Sequence, residues 1–87
     1  MHEEMRDWVT SIIQGVVSRP EEVRVEVSKD DMGVLFTVKV NPDDNGRIIG
    51  RQGEMAKAIR TLLRSYGMAR QIRASMKIDA PGRQENY

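Results

Sequence analysis

Hydrophobic residues recur along this chain at two different periods, which together predict helices and strands. Near the start, apolar residues have the three- and four-residue spacing of an amphipathic helix, which Pro20 is expected to close. They are Met5, Trp8, Val9, Ile12, Ile13 and Val16. Two segments, "EEVRVEVS" and "VLFTVKV", then alternate at a period of two, and "KDDMG" between them predicts the turn of a hairpin.

The second half of the chain repeats both periods. A short helical piece is expected at 46–50, with Asp43 or Asp44 as its N-cap. A longer helix is predicted from Glu54 to Tyr66, and Gly67 is a natural stop for it. The segment "QIRASMKI" alternates again and predicts a third strand, ahead of the polar stretch "DAPGRQENY".

The predicted order is αββααβ, which indicates an α+β fold. The connection between the second and third strands is long enough for a right-handed crossover between parallel neighbours, so the three-stranded sheet is expected to be mixed. One apolar side on every element favours three helices packed on one face of the sheet. A length of 87 residues supports one core. We therefore predict a single domain at 1–80 and a flexible C-terminal tail at 81–87.

Composition excludes several classes of protein. The chain has no cysteine, so disulfides and thiolate metal sites are excluded and a reducing compartment is favoured. No apolar run reaches the roughly 18 residues that a membrane span needs. The sequence thus predicts a cytoplasmic protein that neither enters a membrane nor carries a cofactor.

Charge is distributed unevenly along the chain. Up to position 46 there are five basic and ten acidic residues, whereas from position 47 onward there are nine basic and three acidic ones. Between Arg47 and Arg73, only Glu54 opposes seven basic residues. This asymmetry is expected where one surface meets a polyanion, although a solvated helix face produces the same pattern.

Glycines cluster just ahead of the longest predicted helix. In "IIGRQG", Gly50 and Gly53 frame a two-residue turn, where the backbone needs conformations closed to other residues and where a ligand can approach closely. A helix N-terminus offers unpaired N–H groups and partial positive charge, so a phosphate is the favoured ligand. Arg51 lies within this turn, Arg47 before it and Lys57 after it. A purely structural turn remains the alternative.

Catalysis has little support in the sequence. The glycine spacing matches neither a P-loop nor a dinucleotide fold, so a small-molecule nucleotide pocket is not expected. His2 is the single histidine, and no nucleophile is placed beside a base. Asp43 and Asp44 are better explained as caps and turn formers than as metal ligands. We expect neither an enzyme nor a metal site.

The glycine motif and the element order together resemble a known family. The segment Ile48-Ile49-Gly50-Arg51-Gln52-Gly53, between "NPDDNGR" and "AIR", resembles the Gly-x-x-Gly region of a KH domain of the bacterial αββααβ type. From about residue 3 to residue 79, the chain is similar to the small single-domain RNA-binding KH proteins of the KhpA type. The resemblance implies a non-catalytic protein in bacterial RNA metabolism, such as an RNA chaperone.

The resemblance also implies a site. The loop would clamp the backbone of about four single-stranded nucleotides, while their bases lie in a groove between the long helix and a sheet edge. Ile49 and Ala56 are candidate walls of this groove, Ala56 being smaller than the aliphatic residue common there. Glu54 places a negative charge next to the clamp. The implied RNA-binding residues are Arg47, Ile49, Gly50, Arg51, Gln52, Gly53, Ala56, Lys57, Arg60 and Arg64.

Partners follow from the same resemblance. It implies a homodimer, or a complex with a larger KH-containing protein, in addition to single-stranded RNA. A protein-interaction or assembly domain, for example one associated with the ribosome, is the alternative in which RNA contact is secondary. Arg51 and Gln52 favour RNA, because an acidic pair at these positions would repel phosphate.

Overall fold

Three helices lie on one face of a three-stranded sheet. The computed structural model describes residues 2–79, and the tail predicted at 81–87 lies outside them. The helices are α1 (Glu3–Val16), α2 (Asn45–Ile49) and α3 (Glu54–Ala69), and the strands are β1 (Arg24–Asp30), β2 (Gly33–Lys39) and β3 (Ala74–Ile78). Short 3₁₀ turns occur at Pro20–Glu22, Pro42–Asp44 and Arg51–Gly53. The predicted order αββααβ is confirmed.

The sheet is mixed, as predicted, with the strand order β1-β2-β3. β1 and β2 form an antiparallel hairpin in which Val27 is opposite Phe36. β2 and β3 are parallel, with Phe36 opposite Met76. β2 is therefore the central strand, and one side of β3 pairs with no other strand in the described part of the chain.

The core lies between the sheet and the helices. Alternate residues of β2 face it, and Phe36 and Val38 are completely buried. The helices contribute Val9, Ile13 and Leu63, also buried. The other face of the sheet carries mostly polar residues, with Leu35 as an apolar exception, and on β1 the helix-facing Val25 and Val27 are only partly buried.

An aromatic stack joins the first and last helices. The rings of Trp8 on α1 and Tyr66 on α3 are 4.6 Å apart at their centroids. The Arg70 guanidinium lies 3.8 Å from the centroid of the Tyr66 ring, in cation–π contact. The Tyr66 hydroxyl donates a hydrogen bond to Glu4 (3.2 Å). This stack orients α3 relative to α1 beside the core.

Several element boundaries differ from the predicted ones. α1 ends at Val16, and Pro20 instead begins the next 3₁₀ turn. β1 extends to Asp30, whose side chain accepts hydrogen bonds from the N–H groups of Met32 and Gly33 and so tightens the hairpin turn.

Gly67 is not the stop predicted for the long helix. α3 continues to Ala69, and Gly67 is buried inside it. The Ile72 N–H donates to the Gly67 carbonyl oxygen at 2.7 Å. A Cβ at Gly67 would lie 2.4 Å from the Ile72 carbonyl oxygen. The missing side chain therefore lets the segment before β3 cross close to the helix.

Asp44 stands at the N-cap position of α2, as predicted, but its side chain makes no capping hydrogen bond to that helix. Asn41 caps the 3₁₀ turn, its side chain accepting from the Asp43 N–H at 2.9 Å. The Asp44 carboxylate accepts from the Ser18 N–H (3.0 Å), the Ser18 hydroxyl (2.7 Å) and the Arg19 N–H (3.1 Å). The Ser18 N–H contributes most to holding the pKa of Asp44 below its ordinary value. Asp44, 0% exposed, thus ties the loop after α1 to the start of α2.

Candidate nucleic-acid interface

The loop between α2 and α3 has a backbone that only a few residue types adopt easily. Gly50 has φ 75° and Gly53 has φ 76°, and Gln52 between them is also in the left-handed region at φ 54°. A Cβ at Gly50 would lie 2.8 Å from the Met55 Cβ and 2.9 Å from its amide nitrogen. The two glycines therefore satisfy the conformational requirement predicted for this turn.

This loop directs hydrogen-bond donors toward solvent. It is closed by the Gly53 N–H, which donates to the Gly50 carbonyl at 3.3 Å, and by the Glu54 N–H, which donates to Arg51. No hydrogen bond from the N–H of Arg51 or Gln52 is found within residues 2–79, and both residues are exposed. Two unpaired donors at the start of a 16-residue helix make an anion site of suitable polarity.

A row of cations follows the loop along α3. Lys57, Arg60 and Arg64, called here the basic face, share one side of the helix because they are three and four residues apart. The Arg60 guanidinium crosses to β3 and donates to the Met76 carbonyl at 3.4 Å. Burial, and secondarily the charge of Arg64, lowers the pKa of Arg60. The basic face therefore borders β3.

The outer edge of β3 pairs with no other strand within residues 2–79, although its Met76 carbonyl accepts the hydrogen bond from Arg60. The Arg73 carbonyl accepts from the Val34 N–H, and the Asp79 N–H donates to Val38, so the odd-numbered residues pair with β2. Because successive peptide groups of a strand point to opposite sides, those of Ala74, Met76 and Ile78 point away from β2. The basic face and this edge form the two sides of a shallow groove that begins at the loop.

Not every predicted site residue lies in this groove. Arg47 is exposed on α2, with its Nε atom 3.5 Å from Asp44 Oδ1. Ile49 is 3% exposed and Ala56 is 0% exposed, because both pack into the core. The predicted groove walls are corrected accordingly: these side chains support the loop from below and offer almost no surface to a base.

Glu54 is exposed in the first turn of α3. A carboxylate there stabilises the positive end of the helix. No salt bridge to Glu54 is found in the described part of the chain. Its charge is thus compatible with a helix-stabilising role beside the anion site.

Sequence reasoning missed a second exposed side of α3. Its residues are three and four positions apart, as in the seam of a coiled coil, and carry no charge. This exposed seam consists of Met55, Ala58, Leu62, Ser65 and Ala69. Leu62 is 50% exposed, which is unusual for a leucine at the centre of an apolar row. The spacing of these residues is visible in the sequence, but only their solvent exposure in the structure distinguishes them from the buried stripe of the same helix.

None of the helices within residues 2–79 is long and apolar enough to cross a membrane. The same residues hold no group of three histidine, aspartate or glutamate side chains arranged to bind a metal ion.

Comparison with known proteins identifies the family. Residues 6–78 match the family described as KhpA/KhpB, KH domain. The chain is 39% identical over 71 residues to the "RNA-binding protein KhpA" of Leifsonia xyli subsp. xyli, covering 82% of this chain and 93% of that protein. It is 38% identical over 74 residues to the protein of the same name from Chlamydia pneumoniae, covering 85% and 95%.

A third protein of that name, from Lactiplantibacillus plantarum, is 31% identical over 83 residues, which cover 95% of this chain and 96% of the relative. No solved structure matches the chain significantly. The family match extends from α1 to the end of β3 and includes the whole loop and groove. The chain belongs to the KhpA/KhpB family of KH domains.

Proposed function

We propose that this protein is a non-catalytic bacterial RNA-binding protein that holds the backbone of single-stranded RNA at the Gly50–Gly53 loop. The observation that carries the proposal is the pair of unpaired N–H groups at Arg51 and Gln52, at the start of α3 and in line with its basic face. The curated relatives reported above are named as RNA-binding proteins, which supports it.

The groove accounts for how a strand would lie. Phosphates are bound at the loop, where N–H groups and the Arg51 side chain concentrate positive charge, and then along Lys57 and Arg64. Bases turn toward β3, whose outward peptide groups at Ala74 and Ile78, together with the Met76 N–H, offer donors and acceptors to base edges; the Met76 carbonyl already accepts from Arg60. A span of about four nucleotides is typical of such a loop. Duplex RNA binds less well, because its base edges are already paired.

The salt dependence of binding reports the number of phosphates held. Neutralising two to four phosphates of a single strand gives a log–log slope of affinity against salt of roughly −1.5 to −3. Fluorescence anisotropy with single-stranded RNA at several salt concentrations measures it. A slope near zero, or equal affinity for duplex RNA, would contradict binding at this loop.

The loop itself is tested by changing Arg51 and Gln52 together to aspartate. Both glycines remain and both side chains are exposed, so the free energy of unfolding should change by no more than about 1 kcal/mol. RNA affinity should fall roughly ten-fold or more, since carboxylates then face the phosphate and about 1.4 kcal/mol corresponds to ten-fold.

A matched control changes net charge equally far from the loop. Ser28→Asp with Lys29→Asp on β1 also adds three negative charges, at exposed positions of the opposite sheet edge. The control should bind RNA nearly as the parent does. If the loop variant stays folded and keeps its affinity, the glycine turn is only structural.

We also propose that the protein acts in the cytoplasm, in RNA metabolism or as an RNA chaperone, and that it forms a homodimer through the exposed seam. Leu62 stands at the centre of this uncharged row, and two copies can pack such rows against each other around a two-fold axis. A larger KH-containing protein is the second candidate partner for the same row. Two copies would hold two stretches of one RNA and bind it more tightly than one.

The exposed seam also favours a second candidate function, an assembly domain in which RNA contact is secondary. The loop variant distinguishes the two functions. If the protein is an assembly domain, the loop variant should keep both its protein partner and its cellular role. If the protein acts by binding RNA, the loop variant should keep the partner but lose the cellular role.

A further inference from the structure

A depression of about 480 Å³ lies at the far end of α3 from the glycine loop. Its lining combines two arginines with apolar side chains, from the last turns of α3 and the start of β3. The lining residues are Arg64, Met68, Gln71, Ile72, Arg73 and Ala74. No acidic residue is among them. We infer that this depression binds one more nucleotide of the RNA strand that the loop holds, an inference that rests on the proposed function.

The basic face leads directly to this depression. Lys57, Arg64 and Met68 are seven and four residues apart, so at about 100° per residue they lie within roughly 40° of one another around α3. Lys57 and Met68 are separated by about 16 Å along the helix axis. Four stacked nucleotides at about 3.4 Å each reach roughly 14 Å. A strand that leaves the loop along the basic face therefore arrives at the depression at about its fifth nucleotide.

The two arginines are available to a phosphate. Neither Arg64 nor Arg73 takes part in a salt bridge or a side-chain hydrogen bond within residues 2–79. Asp30 lines a neighbouring depression with Arg73, but its carboxylate accepts from the N–H groups of Met32 and Gly33. Two unpaired guanidinium groups at one rim match the negative charge of a phosphodiester.

The floor of the depression matches a base. Met68 is 71% exposed, and Ile72 and Ala74 are partly buried, so an apolar surface of limited size remains open to solvent. Gln71, at φ 60°, reverses the chain there and contributes an amide that can pair with a base edge. A base can stack on the apolar residues while its phosphate contacts the two arginines, so the depression can bind one nucleotide.

The test compares RNAs of four and eight nucleotides on the parent and on Arg73→Ala. The shorter RNA occupies only the loop and the groove and does not reach the depression, so both proteins should bind it equally. The longer RNA should bind Arg73→Ala roughly three- to ten-fold more weakly than the parent, with a salt slope less steep by about 0.7. Met68→Ala should weaken the longer RNA alone in the same way. The longer RNA can bind the parent and the variant in the same number of registers. The ratio of the two affinities therefore contains no statistical factor.

Lys29→Ala, which removes one exposed cation from β1, is the matched control and should leave both affinities unchanged. If Arg73→Ala keeps the parent's affinity for the longer RNA, or loses affinity for both RNAs alike, the extra nucleotide site is wrong. Retained binding of the four-nucleotide RNA leaves the proposed function intact. A titration with AMP separates a strand from a free nucleotide: saturation by AMP without any gain from the longer RNA would overturn the inference.

Discussion

The basic face and the exposed seam of α3 lie on one helix but are built for different contacts. Both rows have the same spacing, and at about 100° per residue their centres lie roughly 150° apart around the helix, with the buried stripe roughly 90° to 125° from each. The basic face borders the outer edge of β3, whereas the seam carries no charge and has Leu62, 50% exposed, at its centre. One 16-residue helix therefore presents a buried stripe, a charged row and an uncharged row on three separate sides.

The largest expected effect comes from reversing charge on the basic face. Lys57→Glu with Arg64→Glu should reduce affinity for single-stranded RNA on the order of thirty-fold or more, because two attractions to phosphate become repulsions. Sedimentation should show the parent's oligomeric state, since the seam is untouched. Fluorescence anisotropy measures the affinity.

The control for this variant is Lys29→Glu with Lys77→Glu, which changes net charge equally at exposed positions of the sheet. It should lose no more than a few-fold. If the two double variants lose affinity equally, RNA responds to overall charge, and the basic face has no special role.

A smaller effect on RNA and a large one on assembly are expected from Leu62→Glu. Two carboxylates would meet at the centre of a packed seam, so the dimer should weaken and its dissociation constant should rise by roughly ten-fold or more. Affinity for a four-nucleotide RNA should stay the same, and only longer RNAs that reach both copies should bind more weakly. Sedimentation velocity over a concentration series checks the assembly.

Thr61→Glu, also exposed on α3 but outside the seam, is the matched control. Unchanged sedimentation of Leu62→Glu, at concentrations where the parent is dimeric, would exclude the seam as the interface.

A substitution at Asp44 should affect neither the basic face nor the exposed seam of α3. The lowered pKa of Asp44 means that its stabilising contribution is present above the ordinary aspartate pKa and is lost as pH falls through the lower pKa of the folded state. Asp44→Asn should lower the Tm at pH 7, because an amide cannot accept from all three donors that the carboxylate satisfies.

Thermal melts between pH 7 and pH 2 check this, and the Tm difference between parent and variant should narrow at the acid end. At a temperature where both are folded, RNA affinity and sedimentation should be those of the parent. A Tm difference that is constant with pH would show that the Asp44 charge does not contribute.

Local patterns predicted most of the fold, and non-local contacts account for the rest. The alternation around Phe36 and the three-four spacing around Ile13 each report burial directly, so strands and helices could be read from neighbours in sequence. Gly67 was misread because a glycine near a helix end suggests a stop, whereas its reason is the Ile72 carbonyl beside it. Asp44 was misread because its partner Ser18 is 26 residues away.

The candidate site shows the same division. The left-handed backbone of the loop was predictable, since two glycines framing a turn ahead of a helix indicate conformations that are closed to other residues. The burial of Ile49 and Ala56 depends on how α2 and α3 rotate against the sheet, which spacing alone does not determine. Arg73 was not predicted to join Arg64, because the turn at Gln71 decides where the start of β3 lies relative to α3.

The parallel pairing of β2 with β3 has a consequence for folding. The hairpin closes between Asp30 and Gly33, whereas the second pairing joins Val34 to Ala74 across the whole α2–loop–α3 segment. Such long-range closure is slow relative to a hairpin. One side of the groove is the strand made last, so a ribosome must release the chain through Ile78 before the groove can form. A partly synthesised copy therefore displays the glycine loop without a groove, and under the proposed function RNA binding in the groove has to wait until β3 is in place.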